Sequence, residues 1–328
     1  MKKILVVLPF SIAGTLIMNG FADGFKKIGY KVLSKDVREL TVDLFESYKP
    51  DYILGFSYGY LFNEKISNYL NDETIRNKIK FIHYFADEPD SKFAYGTDHN
   101  LFNKLKNKED SFIFIWDKEY LNVFKNSQYL PIGVNVDLYN SEFQKYKYDI
   151  TFVGRPLTEK RQKILSAIIK RYSNKLKIFC YENHFKKSII EIKEKNLLTS
   201  QELDVYVNSY KGFIEKEEDL SEIYNSTKIN INITEQGKNN MNYRIFEVGA
   251  SKGFLLTDYM EDIALNFKEG FEIEIYRNME ELFDKIDFYL KNLNTAYKIA
   301  QNCYMKILKE HTFYNRAKTL DLYFDNLK

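Results

Sequence analysis

The sequence is poor in the residues that usually announce a chemistry. It has one tryptophan, two cysteines, four histidines, five prolines and 14 glycines in 328 residues. Cys180 and Cys303 lie far apart, with no His or Cys at metal-ligand spacing. That excludes a disulfide scaffold and predicts two reduced thiols in a cytoplasmic protein. The scarcity of glycine and proline excludes collagen-like and low-complexity chains. An excess of one charge is missing too: Lys+Arg is 48 against Asp+Glu 46, a net charge of +2. Nothing in that balance points to nucleic acid or an anionic membrane as main partner. No apolar run reaches the ~18 residues that span a bilayer. Met1–Lys3 followed by apolar Ile4–Phe10 imitates a signal peptide. Pro9, Ser11 and Gly14, and the lack of a small-residue cleavage site, favour a first buried strand and its loop.

Aromatics are abundant, with 26 Tyr and 26 Phe. They spread along both halves, and Lys, Asn and Ile are plentiful beside them. That is the bias of an AT-rich genome, not a stacking surface for sugars or bases. The same bias makes arginine rare. Only Arg38, Arg76, Arg155, Arg161, Arg171, Arg244, Arg277 and Arg316 occur. Each therefore carries information, because the guanidinium fork cannot be imitated by lysine.

Length alone gives about two domains at roughly 150 residues each. The first half alternates apolar strands with helix-length segments. Strands are expected at Ile4–Leu8, Lys31–Ser34, Tyr52–Phe56, Phe81–Phe85 and Phe112–Trp116, and Tyr129–Val134 reads as a last strand running into a loop. A loop is expected over Ser11–Gly14, and a helix over Thr15–Ile28. Asn140–Tyr148 is polar and aperiodic and reads as a linker. A second alternating set follows. Its strands are expected at Asp149–Val153, Lys177–Cys180, Ile229–Ile233, Gly253–Leu256 and Glu272–Ile275. Its helices are expected at Thr158–Tyr172, with Thr158 as N-cap, at Asp219–Ser226 and Tyr243–Ser251, and from Met279 onward. This order argues an α/β protein of two Rossmann-like, doubly wound domains facing a cleft. Ligands in such sheets bind beyond the carboxyl ends of the strands.

Two stretches there carry chemistry. After Val153 come Gly154, Arg155, Lys160 and Arg161, at the opening of a helix. Guanidinium forks and a helix N-terminus suit a diphosphate; a solvated basic helix start is the other reading. In Asn242–Asp258, Arg244 and Glu247 sit three apart on one helix face. They form either a surface ion pair or a phosphate ligand and a ribose ligand, since a carboxylate can accept two vicinal hydroxyls.

The Phe246–Glu247 pair, the small residues and Gly249 after it, and the apolar strand ending in Thr257–Asp258–Tyr259 resemble the donor-site helix of GT-B glycosyltransferases. The resemblance is closest to the spore-maturation CgeB-like branch. Phe152–Arg155 with Lys160–Arg161, Tyr129–Pro131 with Gly133–Val134, Phe85–Pro89, and His311–Phe313 with Arg316 resemble further pieces of that family, in its order. The resemblance implies three segments: an N-terminal acceptor domain over 1–143, a nucleotide-sugar donor domain over 144–305, and a C-terminal helix over 306–328 that packs back on the first domain. It implies a metal-independent glycosyltransferase without a bound cofactor. The donor would be a nucleotide-diphosphate sugar, and the acceptor a glycan, a protein or a small molecule. Donor-binding residues would be Gly154, Arg155, Lys160, Arg161, Arg244, Glu247, Thr257 and Asp258, with Glu247 on the ribose. Many GT-B enzymes carry a second glutamate eight residues earlier. Asn239 stands there, and Glu235 is at the wrong spacing, which puts retaining chemistry in doubt.

An inverting transfer needs a general base near the acceptor hydroxyl. Asp87 is the first candidate, with Glu88 and His83 behind it. A plain turn at Asp87–Pro89 and a core histidine at His83 are the competing readings. Gly14 and Asp117 are assigned to the acceptor side. Two other functions remain open: a nucleotide-sugar epimerase, for which four histidines are few, and a non-catalytic sugar-binding or coat protein of the same fold.

Overall fold

A computed structural model describes residues 1–90, 100–106, 111–235 and 241–325. The chain divides into two compact units: residues 1–134 with 311–328, and residues 135–310.

The first unit holds a six-stranded sheet in the order β2-β1-β3-β4-β5-β6. Its strands are β1 (Lys3–Leu8), β2 (Lys31–Asp36), β3 (Tyr52–Phe56), β4 (Lys80–Phe85), β5 (Ser111–Ile115) and β6 (Ser127–Tyr129). Every pairing is parallel. Ile4–Val7 are buried on both faces, which is why β1 reads as a continuous apolar run. The second unit has β7 (Tyr148–Val153), β8 (Leu176–Phe179), β9 (Thr227–Asn232), β10 (Leu255–Asp258) and β11 (Glu274–Tyr276). They form a parallel sheet in the order β11-β10-β9-β7-β8. Ile150, Phe152, Ile229 and Ile231 pack there with Leu165, Ile168 and Ile169 of the Glu159–Tyr172 helix.

In both sheets the chain reverses direction of travel beside its first strand. The crevice of such a sheet opens where strand order reverses. In the second unit that point lies between β7 and β9, and the loops leaving them are 154–158 and 233–235.

Several boundaries differ from the sequence reading. In the stretch Tyr129–Val134, expected to run from strand into loop, the strand ends already at Tyr129. Pro131 has no N–H for a ladder, and the backbone beyond it finds other partners. Arg316 donates to the carbonyls of Pro131 (2.7 Å) and Ile132 (2.9 Å), and Val134 N–H donates to the His311 carbonyl. The strand expected at Gly253–Leu256 begins two residues later. Gly253 closes the preceding turn so tightly that a Cβ there would lie 2.7 Å from the Tyr224 carbonyl oxygen. The first long helix starts at Ile12, capped by Ser11, so Gly14 lies in its first turn and not in a loop. Helices Glu182–Glu194 and Ser200–Asn208 had no counterpart in the sequence reading. Among the described residues no helix is long and apolar enough to cross a membrane.

The Phe313–Asp325 helix packs on the Ile12–Lys27 helix within the first unit. A Cβ on Gly24 would lie 2.4 Å from the Phe313 carbonyl oxygen. An exposed helical Gly→Ala gains about 1 kcal/mol. Here the backbone contact reverses the sign. Gly24→Ala is expected to destabilise the protein by about 1–3 kcal/mol in a denaturant melt.

Candidate active site

The loop leaving β7 begins at Gly154, whose φ of +151° is one that other residues rarely adopt. Thr158 then caps the Glu159–Tyr172 helix, its Oγ1 accepting from Arg161 N–H. The loop leaving β9 runs through Ile233, Thr234 and Glu235. One side chain ties the two loops together. Arg161 is buried, and its Nε and Nη2 donate to the Ile233 carbonyl (2.9 and 2.7 Å). Its Nη1 donates to the Arg155 carbonyl and to Glu235 Oε2, both at 2.9 Å. Burial pushes the Arg161 pKa down, and Glu235 works against that. These bonds point the Arg161 fork inward.

Arg155 and Lys160 differ from it: each side chain is about half exposed. Arg155 Nη2 donates to the same Glu235 oxygen at 3.0 Å. Lys160 Nζ reaches Asp258 Oδ2 at 2.5 Å and Thr234 Oγ1 at 3.2 Å. Asp258 is buried and accepts from the Thr234 N–H and hydroxyl. Thr257 is also buried, and its hydroxyl accepts from Asn232. Thr257 and Asp258 thus brace the floor of β9 and β10. Gly154, Arg155, Lys160, Arg161 and Asp258 come together at the switch point of this sheet. Sequence spacing set Glu235 aside, yet it neutralises two of the three cations. Asn239 lies outside the described residues.

Arg244 and Glu247 lie on the Tyr243–Ala250 helix, 2.5 Å apart. The pair is not the surface ion pair of one sequence reading: the Glu247 carboxylate is almost wholly buried. Glu247 Oε1 accepts from Tyr139 Oη at 2.9 Å. Arg244 also donates to Tyr224 Oη. Burial disfavours the Arg244 charge, but Glu247 outweighs it, and the pKa rises. Gly249 lets this helix press against Ile307 and Cys303, where a Cβ would come within 2.3 Å of the Ile307 side chain.

In the first unit, His83 is 1% exposed, inside β4, with Nδ1 at 3.0 Å from the Ser57 carbonyl oxygen. Asp87 and Glu88 follow that strand and are partly exposed. Asp117 follows β5, is buried, and caps the short turn Lys118–Tyr120. Burial first, then Asp90, Asp117 and Asp87, raise the Glu88 pKa; burial raises that of Asp117. Glu88 therefore keeps its proton to higher pH than an isolated glutamate and becomes a base only above its raised pKa. A Cβ on Gly14, in the first turn of the Ile12–Lys27 helix, would lie 2.5 Å from Ser11 Oγ and 2.6 Å from Pro9 Cγ, so a larger residue would displace these side chains. Among the described residues no group of three or more His, Cys, Asp or Glu is placed to hold a metal ion.

Arg161→Lys is expected to cost about 1–3 kcal/mol in chemical denaturation, because lysine leaves buried carbonyls of both loops without partners. Arg155→Ala, at an exposed ion pair, should cost under about 1 kcal/mol.

Comparison with known proteins fits this geometry. The family model described as glycosyl transferase-like matches residues 160–321, just under half of the chain. No curated relative matches the sequence. A glycosyltransferase from Rickettsia africae has a TM-score of 0.69 at 16% identity, over 100% of this chain and 99% of that one. Sucrose-phosphate synthase from Thermosynechococcus elongatus has the same TM-score and coverage at 11% identity. Anabaena HepE, in complex with UDP and glucose, has 0.68 at 11% identity, over 99% and 100% of the two chains. At such identities the structural likeness is one of fold. A glycosyl transferase-like family match over residues 160–321 thus joins a fold that the full chain shares with solved glycosyltransferases.

Proposed function

We propose that the protein transfers a sugar from a nucleotide-diphosphate sugar to an acceptor, and that cationic side chains, not a metal ion, stabilise the leaving group. The observation that carries this is the pairing of two half-exposed cations, Arg155 and Lys160, at the β7/β9 switch point. Behind them Arg161 fixes both loops. The diphosphate would take the place of the Glu235 carboxylate on Arg155, trading one anion for another at a prepared site. Glu247 would hold the ribose. The HepE neighbour, similar in fold and bound to UDP and glucose, supports this direction.

In an inverting displacement the bond from the anomeric carbon to the diphosphate oxygen breaks. An acceptor oxygen forms the new bond and gives its proton to a base. The nucleoside diphosphate leaves with the electron pair, its charge met by Arg155 and Lys160. We assign the base to Asp87 in the first unit, with Glu88 second; His83, buried in β4, stays with the core. Asp117 and Gly14 are assigned to shaping the acceptor side. We assign the chain to the CgeB-like branch on the resemblance of the Phe246–Glu247 pair, the Thr257–Tyr259 strand end and His311–Arg316. The acceptor is a glycan, a protein or a small molecule.

Thermal shift with UDP, GDP, dTDP and their sugars tests the donor. At least one diphosphate nucleotide should raise Tm, and the matching nucleoside should not. Arg155→Ala with Lys160→Ala should weaken that binding about tenfold or more, as expected when charged hydrogen bonds worth about 1.5–3 kcal/mol are lost. No response at millimolar nucleotide overturns the reading. Asp87→Asn should cut transfer about 100-fold or more while leaving nucleotide affinity unchanged.

A further inference from the structure

The second unit has a concave site at the opposite end of its sheet from the loops 154–158 and 233–235. It is a cavity of about 410 Å³ beside Thr227 and Phe254, where β9 and β10 begin. That volume is in the range of small-ligand pockets. Glu235 and Arg155 lie beyond the other ends of these strands. The six residues of β9, rising about 3.3 Å each, set the two places on the order of 15–20 Å apart.

The rim of the cavity is aromatic. Phe143 and Tyr297 line it while 47% and 51% exposed. Tyr146, which also lines it, meets the Phe143 ring edge to face at 5.0 Å. Burial, then the Tyr297 phenol, raises the Tyr146 pKa, so its hydroxyl keeps its proton. The face of such a ring carries negative charge and attracts polarised C–H groups.

The floor is polar. Asn225 is 6% exposed, and its Nδ2 donates to the Ser251 carbonyl at 2.8 Å. That bond settles which end of the amide is oxygen. Oδ1 is left buried with no hydrogen-bond partner, a state that costs free energy until a donor arrives. Glu142 and Lys252 line the same cavity, and neither forms an ion pair among the described residues. The Lys252 ammonium lies 5.0 Å from the centre of the Tyr304 ring.

These groups fit one ligand chemistry. A phosphate would gain one lysine and be opposed by Glu142. A wholly apolar ligand would leave Asn225 Oδ1, Glu142 and Lys252 unmet. A pyranose has C–H groups on its faces and hydroxyls around its edge, and each hydroxyl both donates and accepts. Its faces suit the rings, and its hydroxyls suit the amide, the carboxylate and the ammonium. We propose that this cavity is a saccharide-binding site, remote from the nucleotide, that holds one hexose unit of a glycan. Nucleotide and saccharide then bind at the same time.

The test is saturation-transfer NMR on the full chain, with the methyl α- and β-pyranosides of glucose, galactose and mannose, and with N-acetylglucosamine. At least one should bind with a Kd of millimolar order or tighter. F143A/Y297A should weaken it about tenfold or more, and each single variant about threefold. Both rings are exposed, so Tm and the thermal shift with nucleotide should stay as in the wild type. Saturating the nucleoside diphosphate that raises Tm should leave saccharide binding unchanged. Four results overturn the proposal: no saccharide binds, binding survives in F143A/Y297A, nucleotide displaces the sugar, or adenosine alone occupies the site. A chain that ignores every nucleotide but binds a saccharide through Phe143 and Tyr297 sinks the proposed function and supports this site.

Discussion

The second unit of this protein depends on one buried guanidinium. Arg161 holds the carbonyls of Arg155 and Ile233 in a single fork and touches Glu235 as well. Those atoms belong to the loops that leave β7 and β9. Parallel strands end in loops with no ladder of their own, and loops at a switch point need something to set their spacing. A lysine has a point charge and a flexible stem and could not hold both loops. With the loops fixed, Arg155 and Lys160 are presented on the outside of the same turn, where a ligand can reach them.

The polar chemistry around this clamp is arranged in two layers. The inner layer is satisfied within the fold: Asp258 takes the Thr234 backbone and hydroxyl, and Thr257 takes Asn232. The outer layer is paired with groups a ligand could replace or join. Glu235 covers Arg155, and Glu247 is paired with Tyr139 and Arg244. A site of this kind would cost little to desolvate if an anion took the place of the Glu235 carboxylate.

Much of the fold was legible because the central parallel strands, buried on both faces, are largely apolar. Ile4–Val7 and Ile229–Ile231 sit where their runs place them. Boundaries slipped where the backbone found partners far away in sequence, as at Pro131 and Ile132, which Arg316 serves. Scarce arginine singled out Arg155, Arg161 and Arg244, but a sequence does not reveal which way a fork points. Arg161 turns inward to backbone carbonyls, while Arg155 stays half exposed. Glu235 was set aside on spacing, yet salt bridges follow distance in space. Tyr139 carried no signal at all: it is one of 26 tyrosines, in a stretch without periodicity. Only its contact with a helix more than a hundred residues away ties it to Glu247.

The most direct measurement of the central claim is a crystal structure with the nucleoside diphosphate that stabilises the protein. The account predicts the two phosphates within hydrogen-bond distance of Arg155 and Lys160, with Glu235 displaced from Arg155 and the Arg161 clamp unchanged. A nucleotide bound elsewhere, with the Arg155–Glu235 pair intact, would contradict it.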